Sequence, residues 1–204
     1  MAGKIEIRKK NMVIVIAIAV SVLAFGALAL LSGGKGGPLG TPVLTVETPQ
    51  KCSAGEEITL DVTISDMGEA LYPAASMSIS FDPACLEFLG VEEGNVFIRD
   101  DESASGRQLP DWSCNTAACN DSGLVNIMYL DMTGGRYAFS RELLAEEDNV
   151  VLRLSFRVRG SVRTGDVLDL IVEDAVFAAS EERDSLAMTR NTLRVKNSRI
   201  VIGE

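Results

Sequence analysis

The chain has 204 residues, 29 of them acidic and 19 basic, with four cysteines and no histidine. Without an imidazole it cannot run Ser-His-Asp or Cys-His catalysis or bind zinc through histidine, and a net charge of -10 argues against binding nucleic-acid phosphates. No catalytic group, cofactor or metal site is expected, and a binding role is favoured over an enzyme.

The charge is unevenly placed. Residues 1–11 carry Lys4, Arg8, Lys9 and Lys10 against Glu6 alone, whereas residues 43–204 carry 14 basic and 28 acidic side chains. Between these regions, residues 12–32 (MVIVIAIAVSVLAFGALALLS) hold no charge. A helix of that length, rising about 1.5 Å per residue, reaches roughly 30 Å and spans a bilayer's hydrocarbon core. The basic flank predicts that residues 1–11 stay in the cytoplasm and that the rest of a single-pass protein lies outside the cell. The alternative is a cleaved signal peptide. Ala27-Leu28-Ala29 has the small-x-small pattern, but it lies inside an apolar run longer than the usual ~7–15 residues. Residues 33–42, GGKGGPLGTP, hold five glycines and two prolines and read as a flexible linker.

Residues 43–204 are long enough for one well-packed domain, and their apolar positions alternate with period two, the mark of strands with one buried face. Strands are predicted at Leu44-Thr45-Val46, at 58–64, at 76–81, at 86–91, at 124–130, at 150–158, at 167–172, at Val176-Phe177 and at 193–202. Turn residues separate them, among them Ser53-Ala54-Gly55, Asp82-Pro83, Thr133-Gly134-Gly135 and Thr164-Gly165-Asp166. Eight or nine short strands with such punctuation predict an all-β sandwich. One short helix is expected at 141–147, capped by Ser140 and resting Leu143 and Leu144 on the sandwich.

Cys52, Cys85, Cys114 and Cys119 all fall in the exported part, where oxidation is usual, and read as two disulfides. Three pairings are possible; Cys114 with Cys119 closes a short loop and leaves Cys52 for Cys85. The acidic run Arg99-Asp100-Asp101-Glu102 lacks the spacing of a calcium loop and reads as solvated. Trp112, the only tryptophan, is expected in the core, with stacking on a sugar as the alternative. Asn120-Asp121-Ser122 fits an N-glycosylation acceptor.

The order of the strands resembles a cohesin, the β-sandwich module that binds dockerins in cellulosomes. The resemblance covers about residues 43–202. Its most specific part is Gly55-Glu56-Glu57-Ile58-Thr59-Leu60-Asp61-Val62, followed by Met77-Ser78-Ile79-Ser80-Phe81-Asp82-Pro83 and Leu86-Glu87. Further similarity lies in Gly123-Leu124-Val125-Asn126-Ile127-Met128-Tyr129-Leu130-Asp131, in the segment 148–156, and in Gly165-Asp166 with Ala175-Val176-Phe177-Ala178. The cysteines and the long excursion at 98–122 lie outside the family's pattern.

The resemblance implies a jelly-roll-like sandwich that acts by adhesion, holding a dockerin-bearing protein against the sheet that contains strands 76–81 and 124–130. Calcium in such a complex belongs to the dockerin. By alternation Met77, Ile79 and Phe81 point inward, so Ser76, Ser78 and Ser80 face out; on the other strand Asn126, Met128 and Leu130 face out. These six residues are the expected partner surface. The opposite register, with Met128 and Leu130 buried or lying under the helix at 141–147, is the alternative. Two other functions compete with dockerin docking: a carbohydrate-binding module that takes polysaccharide on a row of exposed aromatics, and a structural or adhesive cell-surface domain.

Overall fold

The structure, a computed structural model, describes residues 41–49, 51–96, 111–180 and 186–203. The expected membrane anchor at 12–32, nearly all of the linker and the acidic run at 99–102 lie outside these residues. Among the described residues no helix is long and apolar enough to cross a membrane.

The described chain forms nine strands and one α-helix. The strands are β1 (Val43–Val46), β2 (Glu57–Ile64), β3 (Ala74–Ser80), β4 (Leu86–Glu93), β5 (Leu124–Leu130), β6 (Val150–Val158), β7 (Val167–Ala178), β8 (Arg194–Lys196) and β9 (Ser198–Val201). The helix, α1, is Thr116–Ser122. A five-stranded sheet has the order β4-β6-β2-β1-β8 and a four-stranded sheet the order β5-β3-β7-β9. All neighbours are antiparallel except β1 and β8.

The alternation read from sequence sets the two layers. In β2, Ile58, Leu60, Val62 and Ile64 are buried; in β6, Leu152, Leu154, Phe156 and Val158; in β3, Ala75, Met77 and Ile79. Because side chains point alternately to opposite faces, these rows meet between the sheets, where burial of apolar surface supplies the main driving force for folding. Aromatic rings pack at both ends of β3. Beyond its end, Phe81 and Phe88 each sit 5.3 Å from Phe156. Before its start, Tyr72 meets Phe177 at 6.4 Å, and Phe177 meets Phe139 at 5.7 Å.

Several expectations are corrected. The segment read as two strands at 167–172 and 176–177 is the single strand β7, with a bulge opposite Ser78 and Ile79. The segment at 193–202, read as one strand, changes sheets between β8 and β9. Asn197 sits at the change and accepts a hydrogen bond from the Val172 N–H at 3.0 Å. The Ser198 hydroxyl, on β9, donates to the Val46 carbonyl of β1 and links the two layers there.

The expected helix at 141–147 is a single 3₁₀ turn, Arg141–Leu143, and Ser140 makes no capping bond. Asn149 prevents its extension: its side chain accepts from the Ala145 N–H at 2.6 Å and donates to the Ala145 carbonyl at 3.1 Å, taking both backbone groups that a helix would use. The helix lies instead at Thr116–Ser122. Asn115 caps it, accepting from the Ala118 N–H at 3.1 Å, and Gly123, at φ 68°, ends it in the left-handed conformation.

The two predicted disulfides are absent: Cys52, Cys85, Cys114 and Cys119 are all free thiols. Local structure holds three of these thiols in place. Cys85 Sγ donates to Asp82 Oδ2 at 3.3 Å within its turn, Cys114 Sγ lies 3.9 Å from the Thr116 hydroxyl, and Cys119 is buried on the inner side of α1.

Candidate functional site

The two outer faces of the sandwich differ in chemistry. On the five-stranded sheet, cross-strand ion pairs cover the surface: Arg153 holds Asp61 at 3.1 Å, and Arg157 bridges Glu57 at 2.5 Å and Glu87 at 3.1 Å. The Arg157 guanidinium is accordingly held above its usual pKa, chiefly by its hydrogen bond to Glu57. This face is self-satisfied.

The four-stranded sheet carries a different surface. Its outward side chains line up in rows across β5, β3 and β7: Leu130, Ala74 and Ala178; then Met128, Ser76 and Val176; then Asn126, Ser78 and Asp174; then Leu124, Ser80 and Ile171. All six sequence-predicted residues, Ser76, Ser78, Ser80, Asn126, Met128 and Leu130, therefore share one face, and Met128 and Leu130 are each 49% exposed. The alternative register, with both buried, is excluded. Leu71 and Met132 extend the apolar end of the face, and Ile171, Val167 and Val201 add exposed aliphatic groups at the other.

The face is backed by a packed and hydrogen-bonded layer. Tyr129, between Met128 and Leu130, packs against Phe139 at 4.6 Å and Trp112 at 5.5 Å, and its hydroxyl donates to the Tyr137 carbonyl at 2.5 Å. Burial, then the nearby charges of Asp131 and Asp111, push its phenol well above the usual value, so it stays neutral and keeps that bond. Ser113 and Met128 exchange backbone hydrogen bonds of 2.8 and 3.1 Å, which fixes the edge of β5. The buried Asp131 carboxylate accepts from the Thr133 N–H, the Thr133 hydroxyl and the Tyr137 N–H, and the resulting turn presents Met132 to solvent.

Serine hydroxyls tie neighbouring strands on the surface. Ser78 donates to Asn126 Oδ1 at 2.7 Å and Ser80 donates to Glu173 Oε1 at 2.8 Å. The β7 residues on this face, Ile171, Glu173, Asp174 and Val176, are missed by the sequence reading. The bulge that turns both Glu173 and Asp174 outward has no periodic signature. The available signal is the acidic pair itself, set between two apolar runs.

Nothing on this face suggests bond-making chemistry. Among the described residues no group of three or more histidine, cysteine or carboxylate side chains is placed to hold a metal ion. An open groove at its edge is lined by Asp169, Ile171, Asn197, Ser198 and Arg199, where Arg199 and Asp169 pair at 2.9 Å. Every aromatic side chain among the described residues is buried, Trp112 included at 5% exposure. A row of rings for sugar stacking is therefore missing from both described sheet faces. The acceptor motif at Asn120 is also occupied: its side-chain nitrogen donates to the carbonyls of Phe88 and Thr116.

A family model described as "Cohesin domain" matches residues 42–195. No curated protein sequence matches the chain. Among solved structures, a type I cohesin–dockerin complex from Clostridium thermocellum, Coh-OlpA with Doc918, is similar with a TM-score of 0.59 at 18% identity, covering 80% of this chain and 99% of that one. A second complex from the same organism, Coh-OlpC with Doc435, gives a TM-score of 0.59 at 15% identity over 84% and 99%. The solution structure of CaCohA2 from Clostridium acetobutylicum gives 0.57 at 20% identity over 80% and 91%. At these identities the likeness speaks for the fold.

Proposed function

This chain belongs to the cohesin domain family, and we propose that it is a non-catalytic docking module that holds a dockerin-bearing protein on the outer face of its four-stranded sheet. The observation that carries this reading is the row arrangement on that face: half-exposed Met128 and Leu130 beside serines and Asn126, on a backing that does not need to rearrange. Apolar contact at the centre with hydrogen-bonding groups around it is the composition of a protein-binding surface. Two solved relatives with this fold are themselves complexes with dockerins. Calcium, in this reading, enters with the dockerin.

We further propose that residues 12–32 retain the module at the membrane and residues 33–42 tether it outside the cell, where it gathers partners, including enzymes of polysaccharide breakdown. The linker's glycines leave the docking face free to orient.

The test is capture of dockerin modules by the full chain in mild detergent, with and without calcium, beside a panel of polysaccharides. Calcium-dependent capture supports the reading, and Met128→Asp abolishes it without moving the unfolding midpoint. Retention on polysaccharide without dockerin capture would replace it with a carbohydrate-binding module. Capture of neither would leave a structural or adhesive domain.

A further inference from the structure

Residues 190–199 carry Arg190, Arg194, Lys196 and Arg199 and no carboxylate, although acidic side chains outnumber basic ones 28 to 14 over residues 43–204. Arg199 is taken by Asp169 at 2.9 Å. Arg190, Arg194 and Lys196 are exposed, and none of them forms an ion pair with a described residue. The fold gathers these three at one edge. β8 is the last strand of the five-stranded sheet, and its register sets Arg194 beside Val43 and Lys196 beside Thr45. Leu44 and Val46 of β1 are buried, so Arg194 and Lys196 project from the outer face, about 7 Å apart. Arg190 sits in the turn just ahead, which Thr192 holds by accepting from the Thr189 N–H at 2.9 Å and donating to the Ala187 carbonyl at 3.0 Å. The first carboxylate past β1, Glu47, accepts from the Thr63 hydroxyl, and Asp66, past β2, is held by Arg141. The same edge is the root of the linker: the Arg194 N–H donates to the carbonyl of Pro42, its last residue, at 2.9 Å.

We infer that the β8 edge is a second interaction surface and that its partner is the anionic headgroup layer of a lipid bilayer. The inference rests on the anchoring reading of residues 12–32 given above and adds to it the side that the domain turns to the membrane. A ten-residue coil reaches about 17 Å, roughly two Debye lengths at physiological salt, so the cations at its root are kept within range of the headgroups. Tethering makes the contact local, and three unpaired cations then act without needing high affinity of their own. The rest of the domain is acidic and is repelled by the same surface. Attraction at one edge and repulsion elsewhere turn that edge inward, whereas the linker by itself sets no orientation. β9 follows β8 after Asn197 alone, and α1 packs on β4 and β5 at the other side of the sandwich. With the β8 side toward the bilayer, the outer face of the four-stranded sheet stands clear of it and open to a partner. Cations on an edge strand also discourage pairing with another chain, but that role makes no distinction between lipids.

The test reconstitutes the full chain into vesicles of phosphatidylcholine alone or with about 30% phosphatidylglycerol, and follows amide hydrogen exchange by mass spectrometry. Exchange over residues 190–196 is expected to be about tenfold slower in the anionic vesicles, and the difference to vanish as salt rises from about 50 to about 500 mM. A triple variant, Arg190→Glu, Arg194→Glu and Lys196→Glu, should exchange alike in both; glutamine at the same positions serves if the reversal unfolds the domain. Arg163→Glu, which changes an exposed cation elsewhere, should keep the difference. Equal exchange by the wild type in both vesicles, or a difference that survives the triple substitution, overturns the inference and leaves the anchoring reading intact. Slowing by soluble polyphosphate, with none from anionic vesicles, also overturns it and assigns the edge to a free phosphate polymer. Protein that floats with neither kind of vesicle overturns both the anchoring and the inference.

Discussion

Asn120 and Phe88 exchange two hydrogen bonds: the Phe88 N–H donates to Asn120 Oδ1 at 2.8 Å, and Asn120 Nδ2 donates to the Phe88 carbonyl at 2.8 Å. Phe88 lies on β4, an edge strand of the five-stranded sheet, so a side-chain amide on α1 stands in for part of a missing neighbour strand. An edge covered in this way is closed to pairing with another chain.

Replacing Asn120 with alanine removes both bonds and leaves two edge groups of Phe88 without them. The expected cost is about 1–3 kcal/mol, read from denaturant unfolding followed by the fluorescence of Trp112. Because Asn120 Nδ2 donates to two carbonyls, natively folded protein from a glycosylating host is expected to carry no glycan there; peptide mapping checks this.

Gly123→Ala is expected to destabilise by about 1–3 kcal/mol. At φ 68° an alanine is strained, and its Cβ would lie 2.8 Å from the Phe81 carbonyl oxygen and 2.9 Å from Pro83 Cδ. The Phe81 N–H already donates to the Gly123 carbonyl at 2.9 Å, so neither strand has room to withdraw. A shift of the unfolding midpoint below that of the wild type is the measurement, and an unchanged midpoint would contradict the packing described.

Two arginines separate a structural ion pair from a decorative one. Arg141 forks onto Asp66 through Nε at 3.1 Å and Nη2 at 3.2 Å, and Nε also donates to the Met67 carbonyl at 2.9 Å. Arg199 pairs with Asp169 with both side chains more than half exposed. Arg141→Ala is expected to cost about 1–2 kcal/mol and Arg199→Ala less than about 0.5, measured on the same unfolding curves.

The thiols of Cys52, Cys85 and Cys114 are each raised above the ordinary value of 9.0, in every case first by burial; Glu56 adds to the effect at Cys52 and Asp82 at Cys85, while the Thr116 hydroxyl opposes it at Cys114. Folded protein therefore holds these protons where the unfolded chain releases them. That contribution to stability is complete below pH 9.0 and is lost as pH rises through the higher folded values. The buried phenols of Tyr72 and Tyr129, raised above their ordinary 10.0, act in the same direction. Denaturant midpoints between pH 7 and 11 are expected to fall on the alkaline side. Alkylation of unreduced protein should be slow at neutral pH when native and reach four thiols when unfolded; a missing pair by mass would contradict the free cysteines.

The legible part of this protein is its alternation. In Met77, Ile79 and Phe81, in Val125, Ile127 and Tyr129, and throughout β2 and β6, local chemistry already separates inner from outer, because a strand can bury only every second side chain. The outward placement of Met128 and Leu130 follows from the same rule. The charge-free run at 12–32 and the glycine-rich linker are equally local features.

The remaining features carry no period-two signal: some are short-range side-chain contacts and others join residues far apart in the chain. Asn149 reaches back to Ala145 and reduces an apparent helix to one turn, while Asn115 and Gly123 cap a helix in a stretch that looks like a disulfide loop. The sheet change at Asn197 depends on Val172, and the bulge at Glu173 depends on how β7 fits against β3. Period-two patterning is a property of single strands, readable one residue after another. Strand partners, bulges and the chemistry of a composite face arise from pairing, which balances burial and hydrogen bonding over the whole sandwich at once.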